Sequence, residues 1–444
     1  MSADRRNWLK SAMLSLVAVL VTASVALGQG AVLPGVGPVN RSMAGAAVAA
    51  PLDPAGAIYW NPATTTGLAN NEVMFGAEFL YTTSRLSSTV GPNAFGPGIP
   101  ALALAGNDRS DGGVSVLPTI AIVYRPEESN LTYGLGIFVV GGFFSNYPGD
   151  TNNPILSPHP PTGLGAGPIF SNFYLLQMAP SVAIKLTDNI SIGVSPTIDA
   201  AQLQVDPAIF VSPDDANGDG VPTYPAATHT RLVWGLGFQV GVYYKSDCGF
   251  GLGASFKSPQ WFEPFRWSST DEIGRPRQLR LNAQFPMIMS VGASYTGIEN
   301  LTLAVDVRWI DYKDADEFGD PAQFDATGRA MGLGWRSVFA VAAGAQYQVS
   351  ETMSFRMGYL YDENAIRDDS TFFTLPAAPI FQHAIFLGAS YQLARSIEMA
   401  ACYLHAFRNS ISGPFQSVAG PVAGTNVSIS QLTDSAVVGF RVKF

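Results

Sequence analysis

Arginine and aspartate side chains recur on the predicted polar face of several strands, where they could bind a charged group. Arginine presents a rigid fork of donors that suits a carboxylate. Arg280, Arg308 and Arg356 are therefore candidate contacts for the carboxylate of a bound molecule. The alternative is that such arginines pair with neighbouring acids, as the placement of Asp306 beside Arg308 on one face suggests.

A second cluster has the residue types of a cation site. Asp215, Asn217 and Asp219 stand at alternate positions before Gly220, which matches the first half of a calcium loop. The glutamate that usually closes such a loop is missing, because that position is Ala226. The segment is thus either a calcium site in an external loop or a polar surface turn, and no other cofactor is expected.

Catalytic chemistry finds no support in the histidines. His383 falls on the predicted apolar face of its strand, whereas Ser390 of the same strand falls on the opposite face. No serine, histidine and asparagine spacing typical of a membrane lipase stands out. The sequence therefore predicts a protein that is not an enzyme.

The elements that must position these side chains are strands. Apolar and polar residues alternate with the period of two that is typical of β-structure. In the segment 335–349, for example, Phe339, Val341 and Tyr347 share one face, and Arg336 and Gln346 lie on the other. Fourteen such segments are predicted: 72–86, 115–125, 131–143, 171–186, 190–205, 230–245, 249–264, 277–296, 300–313, 335–349, 352–366, 380–394, 396–410 and 428–444.

The composition indicates which solvent the apolar faces meet. Charged residues make up only 13% of the chain, against about a quarter in ordinary domains. Yet no segment after the N-terminal one offers the roughly 20 unbroken apolar residues of a membrane helix. An all-β, 14-stranded antiparallel transmembrane barrel explains both observations, with lipid outside and water inside. The alternative is a large soluble β-protein whose apolar faces form a core.

The lengths of the connections support a barrel. Short turns, such as 187–189 and 350–351, alternate with long connections, such as 144–170 and 206–229. Outer-membrane barrels have short periplasmic turns and long external loops. An even number of strands then places both chain ends on the periplasmic side.

The N-terminal segment has the features of a secretory signal peptide. Arg5, Arg6 and Lys10 precede an apolar run at 13–27, and small residues stand at the cleavage site. Residues 1–28 are predicted to be the signal peptide. Residues 29–71 carry little charge and much glycine, which suits a plug packed inside the lumen of a wide barrel. The barrel itself is predicted at 72–444.

The plug segment resembles a known family. The runs 41–47 and 53–57, followed by Trp60 and by Asn61, Pro62 and Ala63, resemble the N-terminal hatch of the FadL/TodX outer-membrane transporters of long-chain fatty acids and aromatic hydrocarbons. The resemblance covers the chain beyond the signal peptide. It implies a monomeric barrel in the outer membrane of a Gram-negative-type bacterium.

The resemblance also implies a transport route. A hydrophobic ligand is captured by external loops, binds in the lumen, is released by movement of the hatch and leaves sideways into membrane lipid at a kinked third strand. Gly141 and Gly142 are candidates for that kink, because glycine permits a bulge; alternatively they only accommodate lumen packing.

Passive transport of long-chain fatty acids is the leading expectation. Uptake of aromatic hydrocarbons by the same route, a general polar porin, and an adhesin whose loops do the work remain alternatives. Nucleic acid is not an expected partner, because the formal net charge is −9.

Overall fold

The computed structural model describes residues 29–160 and 162–444; the predicted signal peptide lies outside the described residues. This part of the chain forms a closed antiparallel barrel of 14 strands, so the predicted fold class is confirmed. The strands are β1 (Glu72–Val90), β2 (Val114–Tyr124), β3 (Leu131–Tyr147), β4 (Ile169–Lys185), β5 (Ile190–Asp206), β6 (Val233–Lys245), β7 (Phe250–Lys257), β8 (Met287–Ile298), β9 (Leu301–Asp311), β10 (Val338–Ser350), β11 (Met353–Asp362), β12 (His383–Ala394), β13 (Ile397–Gly413) and β14 (Thr425–Lys443).

The last strand closes the barrel on the first. β14 pairs with β1 from Glu72 opposite Lys443 to Val90 opposite Thr425. Outward residues such as Phe75 and Phe440 are exposed, and the alternate residues are buried against the lumen. Among the described residues, no helix has both the length and the apolar character needed to span a membrane.

The predicted strand 277–296 is wrong in its first half. Pro276–Leu281 instead pairs with Phe265–Thr270 in a separate hairpin, and the barrel strand β8 begins at Met287 after a short pairing of Gln284–Phe285. Pro286 lies at the break, and proline cannot donate to the ladder. A wall strand over 277–296 would place Leu279, Leu281 and Phe285 on its apolar, lipid-facing side, whereas all three are buried.

The segment before β1 folds into short helices inside the barrel. They are α1 (Pro38–Ser42), α2 (Pro54–Trp60) and a 3₁₀ helix at Pro62–Gly67. Asp53 caps α2, since its Oδ1 accepts the Gly56 N–H at 2.9 Å. All residues of α1 and α2 are buried, so this hatch fills part of the lumen.

Candidate ligand channel

Charged groups of the wall hold the middle of the hatch. Arg41 of α1 donates from Nη2 to Glu78 Oε2 of β1 at 2.7 Å, and both side chains are buried. The Asp306 carboxylate of β9 accepts the N–H groups of Ala47 and Val48 at 2.8 and 3.0 Å. Buried charges persist only where they are paired and hydrogen-bonded. These contacts come from well-separated strands and therefore fix the hatch to two different parts of the barrel wall.

Two arginines of the wall bind hatch carbonyl groups. Arg308 Nη2 donates to the Gly45 carbonyl at 2.6 Å, and its guanidinium lies 3.6 Å from the centroid of the Trp60 ring. Arg441 Nη1 donates to the Leu52 carbonyl at 2.7 Å. Arginine thus serves here to hold the hatch backbone.

Asn61, Pro62 and Ala63 join the end of α2 to the 3₁₀ helix. The Asn61 side-chain amide donates to the carbonyls of Val48 and Val242 at 2.8 and 2.9 Å, and its Oδ1 accepts the Ala63 N–H at 3.1 Å. One side chain therefore links two parts of the hatch to β6. We call residues 38–67, which carry these contacts, the anchored segment.

Glycines of the wall allow this close approach. A Cβ on Gly241 would clash with the Asn61 side chain, and a Cβ on Gly253 would clash with the Val48 carbonyl. Glycine is needed at such positions because the hatch approaches the wall backbone too closely to leave room for a side chain.

Residues 29–33, which we call the latch segment, are held differently. The Tyr312 hydroxyl donates to the Gln29 carbonyl at 2.6 Å and accepts the Val32 N–H at 3.1 Å. Val32 also forms an isolated antiparallel bridge with Gly141 of β3. The Gly142 N–H donates to Ala31 at 3.1 Å, and the Leu33 N–H donates to Val140 at 3.0 Å. All of these contacts are neutral.

The strand that pairs with the latch segment is irregular. The register of β3 against β4 shifts between Val139 and Gly141. On its other side, pairing with β2 ends at Thr119 opposite Phe138, directly after Pro118, which lacks an N–H. Farther out, the Asp111 N–H donates to the Asn146 carbonyl at 2.7 Å. A window without ladder pairing therefore lies between β2 and β3.

An apolar cavity lies beneath the external loops. This loop cavity has about 780 Å³ of atom-free space, part of it open to solvent. Its walls include Phe143, Phe173, Phe210, Phe265 and Leu281. Among the described residues that line it, only Gln284 and Glu317 have polar side chains, and none is a cation.

A second cavity lies against the window. This wall cavity has about 1410 Å³ of atom-free space, part of it also open to solvent, and is lined by Val32 of the latch segment, Val116 of β2 and Gly141 of β3. It shares Phe143 and Phe173 with the loop cavity. The two cavities therefore adjoin at these two side chains.

Glu317 is the one acid at the loop cavity in the described part of the chain. It lies in the external loop after β9. Burial raises the pKa of its carboxyl to about 8; the Asp320 carboxylate adds to this rise, and Arg329 opposes it. Near pH 7 the group is therefore mainly neutral, which suits an apolar surrounding.

The arginines that were expected to contact a ligand do not meet at either cavity. Arg280 is exposed on the separate hairpin, which corrects its expected place in the lumen. Arg308 is occupied by the hatch. Arg356 donates to Gln346 at 2.7 Å and to Ser390 at 2.7 Å. The alternative interpretation, pairing within the protein, describes Arg308, which donates to Asp306 at 3.2 Å.

The predicted calcium loop has internal hydrogen bonds. Asp215 Oδ2 accepts the Gly220 N–H at 3.1 Å, and Asn217 Oδ1 accepts the Asp219 N–H at 2.8 Å. No group of three or more His, Cys, Asp or Glu in the described residues is arranged to hold a metal ion. Calcium binding here stays a prediction.

Two important residues were missed by the sequence interpretation. Tyr312 stands just beyond a strand, and Glu317 stands in a long loop. The placement of Phe285 inside the barrel was also missed, and Pro286 was the available signal for it.

A barrel that is plugged by a hatch and has an apolar cavity and a window in its wall has the architecture of an outer-membrane transport protein. A family model described as "Outer membrane protein transport protein (OMPP1/FadL/TodX)" matches residues 18–442. The chain therefore belongs to the FadL/TodX family, as its resemblance indicated. It is an outer-membrane protein of a family of transport channels and not an enzyme.

Solved structures agree in fold. The Pseudomonas putida toluene transporter TodX has a TM-score of 0.66 at 16% identity, covering 93% of this chain and 99% of that one. The Ralstonia pickettii toluene transporter TbuX has a TM-score of 0.66 at 18% identity, covering 93% and 99%. A Pseudomonas aeruginosa FadL homologue has a TM-score of 0.67 at 17% identity, covering 94% and 99%. A search of curated proteins finds no match.

Proposed function

We propose that this protein carries uncharged hydrophobic molecules through the loop cavity and the wall cavity to the window between β2 and β3, and from there into membrane lipid. The observation that carries the proposal is that both cavities share Phe143 and Phe173 and that the second one lies against the window. An apolar molecule then leaves water once and stays on apolar surface.

The lining of the loop cavity supports a ligand without a charge. A carboxylate needs a cation or several donors when it is buried. The described lining contains no cation, and Glu317 would oppose an anionic ligand once it ionises. Aromatic hydrocarbons fit this chemistry, and two of the similar structures are described as toluene transporters.

Long-chain fatty acids are the second candidate. Two adjoining cavities favour long-chain fatty acids, because an extended acyl chain can occupy both cavities at once. The polar side chains of Asn172 and Gln431 line the wall cavity and offer donors to a carboxyl group.

Release in this proposal requires the latch segment to move. It lines the wall cavity and is held by the hydroxyls of Tyr312 and Tyr59 and by backbone contacts with β3. Its displacement would enlarge the passage to the window while the anchored segment stays in place.

Uptake of toluene and of oleate, measured in a strain that lacks its own transporters, tests the ligand. We expect toluene uptake by the wild type. Ala330→Arg, which puts a cation at the loop cavity, should reduce toluene uptake at least ten-fold and improve oleate binding. Ala322→Arg in the same loop lies outside the lining of the loop cavity and is the matched control. Oleate uptake without toluene uptake would favour the second candidate.

Planar-bilayer conductance tests the transport class. A plugged barrel should conduct ions poorly. A wide ohmic pore would contradict the proposal and favour the polar porin.

A further inference from the structure

Three arginines face outward near the external end of the barrel, away from both cavities. Arg85 of β1 lies directly opposite Arg109, which belongs to the short strand Leu104–Arg109. On its other side Arg85 lies opposite Ser430 of β14. Arg408 of β13 donates to the Ser430 hydroxyl at 3.3 Å. All three side chains are exposed. We call Arg85, Arg109 and Arg408 the arginine cluster.

The fold brings Arg408 to this surface through a bulge. The register of β13 against β14 shifts between Ala406 and Asn409. Phe407 and Arg408 are both exposed as a result. A bulge re-aims a side chain that strict alternation would turn inward. Without it, Arg408 would face the lumen.

The cluster has no acidic partner in the described part of the chain, where none of its members has a carboxylate oxygen within 4.0 Å. The nearest outward acid along β14 is Asp434, which lies opposite Tyr81. Its Oδ1 accepts from Tyr403 at 2.7 Å and lies 2.8 Å from His405 Nδ1. Like charges that stand directly opposite each other destabilise a sheet, so an external anion would relieve this arrangement.

The height of the arginine cluster along the membrane normal indicates where such an anion would lie. Outward residues below it are apolar or aromatic, from Phe75 and Phe79 to Tyr81. Strands rise about 3.3 Å per residue and tilt by about 40°, so Arg85 stands roughly 25 Å above Phe75 along the membrane normal. The lipid-facing band of such barrels is also about 25 Å tall. Arg85 is therefore level with the headgroups of the outer leaflet.

We propose that the arginine cluster binds the phosphate groups of a phosphorylated glycolipid of the outer leaflet. Each arginine carries a fork of donors that matches phosphate. Within the protein, Arg109 Nη2 donates to the hydroxyls of Tyr81 and Thr83 and Arg408 Nη1 to that of Ser430, all of them neutral groups. The aromatic and apolar side chains below the cluster contact the acyl chains of the same lipid. The site is outside the barrel and is independent of the transport route.

Binding of diphosphoryl lipid A to the purified protein in detergent, measured by native mass spectrometry, tests the proposal. A basic residue near an anionic membrane surface contributes about a five-fold change in binding. The triple variant R85Q/R109Q/R408Q should therefore bind on the order of a hundred-fold more weakly. R266Q/R280Q is the matched control, because Arg266 and Arg280 are also opposed and exposed but lie on the separate hairpin; its binding should be unchanged.

Two further arms identify the source of the anion. Lipid A without phosphates should bind as weakly to the wild type as diphosphoryl lipid A binds to the triple variant. Inorganic phosphate at the same concentration should not compete. Equal binding by the triple variant, equal binding of the dephosphorylated lipid, or full competition by inorganic phosphate would each overturn the proposal.

Thermal unfolding shows whether the triple variant is folded. In lipid-free detergent the triple variant should melt at or above the temperature of the wild type, because repulsion between the arginines is removed. Diphosphoryl lipid A should raise the melting temperature of the wild type only. A variant that responds to the lipid as the wild type does would contradict the site.

Discussion

The anchored segment and the latch segment belong to one hatch, yet they are attached by different physics. Residues 38–67 are held by buried ions, including Arg41 with Glu78 and Asp306 with two backbone N–H groups. Residues 29–33 are held by two tyrosine hydroxyls, those of Tyr312 and Tyr59, and by a few backbone hydrogen bonds. Removing one partner of a buried ion pair costs about 3–5 kcal/mol, whereas a neutral hydrogen bond contributes about 1 kcal/mol.

This difference indicates which part of the hatch can move during transport. The segment with the weaker contacts is also the one that lines the wall cavity. The free energy of local unfolding differs between regions of a protein, and the elements that move are usually those for which it is low. The anchored segment then keeps the lumen closed while the latch segment opens.

The largest expected effect comes from breaking the ion pair of the anchored segment. Glu78→Gln leaves the Arg41 guanidinium buried without its carboxylate, and we expect the hatch to lose about 3–5 kcal/mol of stability. Planar-bilayer conductance should rise as the plug loosens. The double variant R41M/E78Q removes both charges and should recover much of the loss. Unchanged conductance and unchanged unfolding of E78Q would show that the pair does not anchor the hatch.

Asn61→Ala should have the next largest effect. It removes the donors of the buried Val48 carbonyl and of the part-buried Val242 carbonyl. A fully buried unpaired group costs about 1–3 kcal/mol and a part-buried one less, so we expect a total of about 2–4 kcal/mol. Limited proteolysis of the hatch measures the loosening. Asn426→Ala, at an exposed position of β14, is the control and should behave as the wild type. Equal protection of both variants would contradict the linking role of Asn61.

The barrel and its hatch were predictable from the sequence because their signals are local and periodic. Alternating residues in β10 and β14 show their faces directly, and Asn61 with Pro62 and Ala63 follows the glycine-rich run of the hatch. The separate hairpin was not predicted, because Leu279 and Leu281 alternate as they would in a wall strand. Periodicity does not reveal what an apolar face packs against.

The cavities could not be predicted for a different reason. Tyr312 contacts residues 283 positions away along the chain, and Glu317 acquires its environment from several loops. No sequence period records such contacts. The arginines are visible in the sequence, but their partners are not. Arg308 is a candidate both for a ligand and for pairing with an acid, and only the structure shows that it donates to Asp306 and to the hatch.

A smaller effect is expected from loosening the latch segment. Tyr312→Phe removes the hydroxyl that binds Val32 and Gln29, at a cost of about 1–2 kcal/mol. Hydrogen exchange at Val32 should become roughly ten-fold faster, while exchange in the anchored segment stays unchanged. Tyr391→Phe on the lipid face is the control. Equal acceleration in both segments would mean that the hatch moves as one body.

The smallest expected effect is the pH dependence that Glu317 gives to stability and to ligand affinity. Its folded-state pKa of about 8 is above the ordinary glutamate value of 4.5, so the folded protein holds this proton more tightly than the unfolded chain. The stability that this proton contributes is complete below about pH 4.5 and is lost as the pH rises towards 8. Above pH 8 the carboxylate also makes the loop cavity charged, which disfavours an apolar ligand.

Toluene affinity of the wild type should therefore fall a few-fold between pH 7 and pH 9, and Glu317→Gln should remove that dependence, because the amide cannot ionise. Titration of the wild type and of E317Q with toluene at pH 7 and at pH 9 measures both affinities. Glu363→Gln is the matched control: Glu363 lies outside the loop cavity, so this variant should keep the pH dependence of the wild type. If E317Q instead loses affinity at both pH values, the carboxyl binds the ligand directly. The loop cavity would then recognise a polar group of the ligand. In that case the ligand route would not be neutral at the loop cavity, and it would no longer differ in this respect from the charged contacts of the anchored segment.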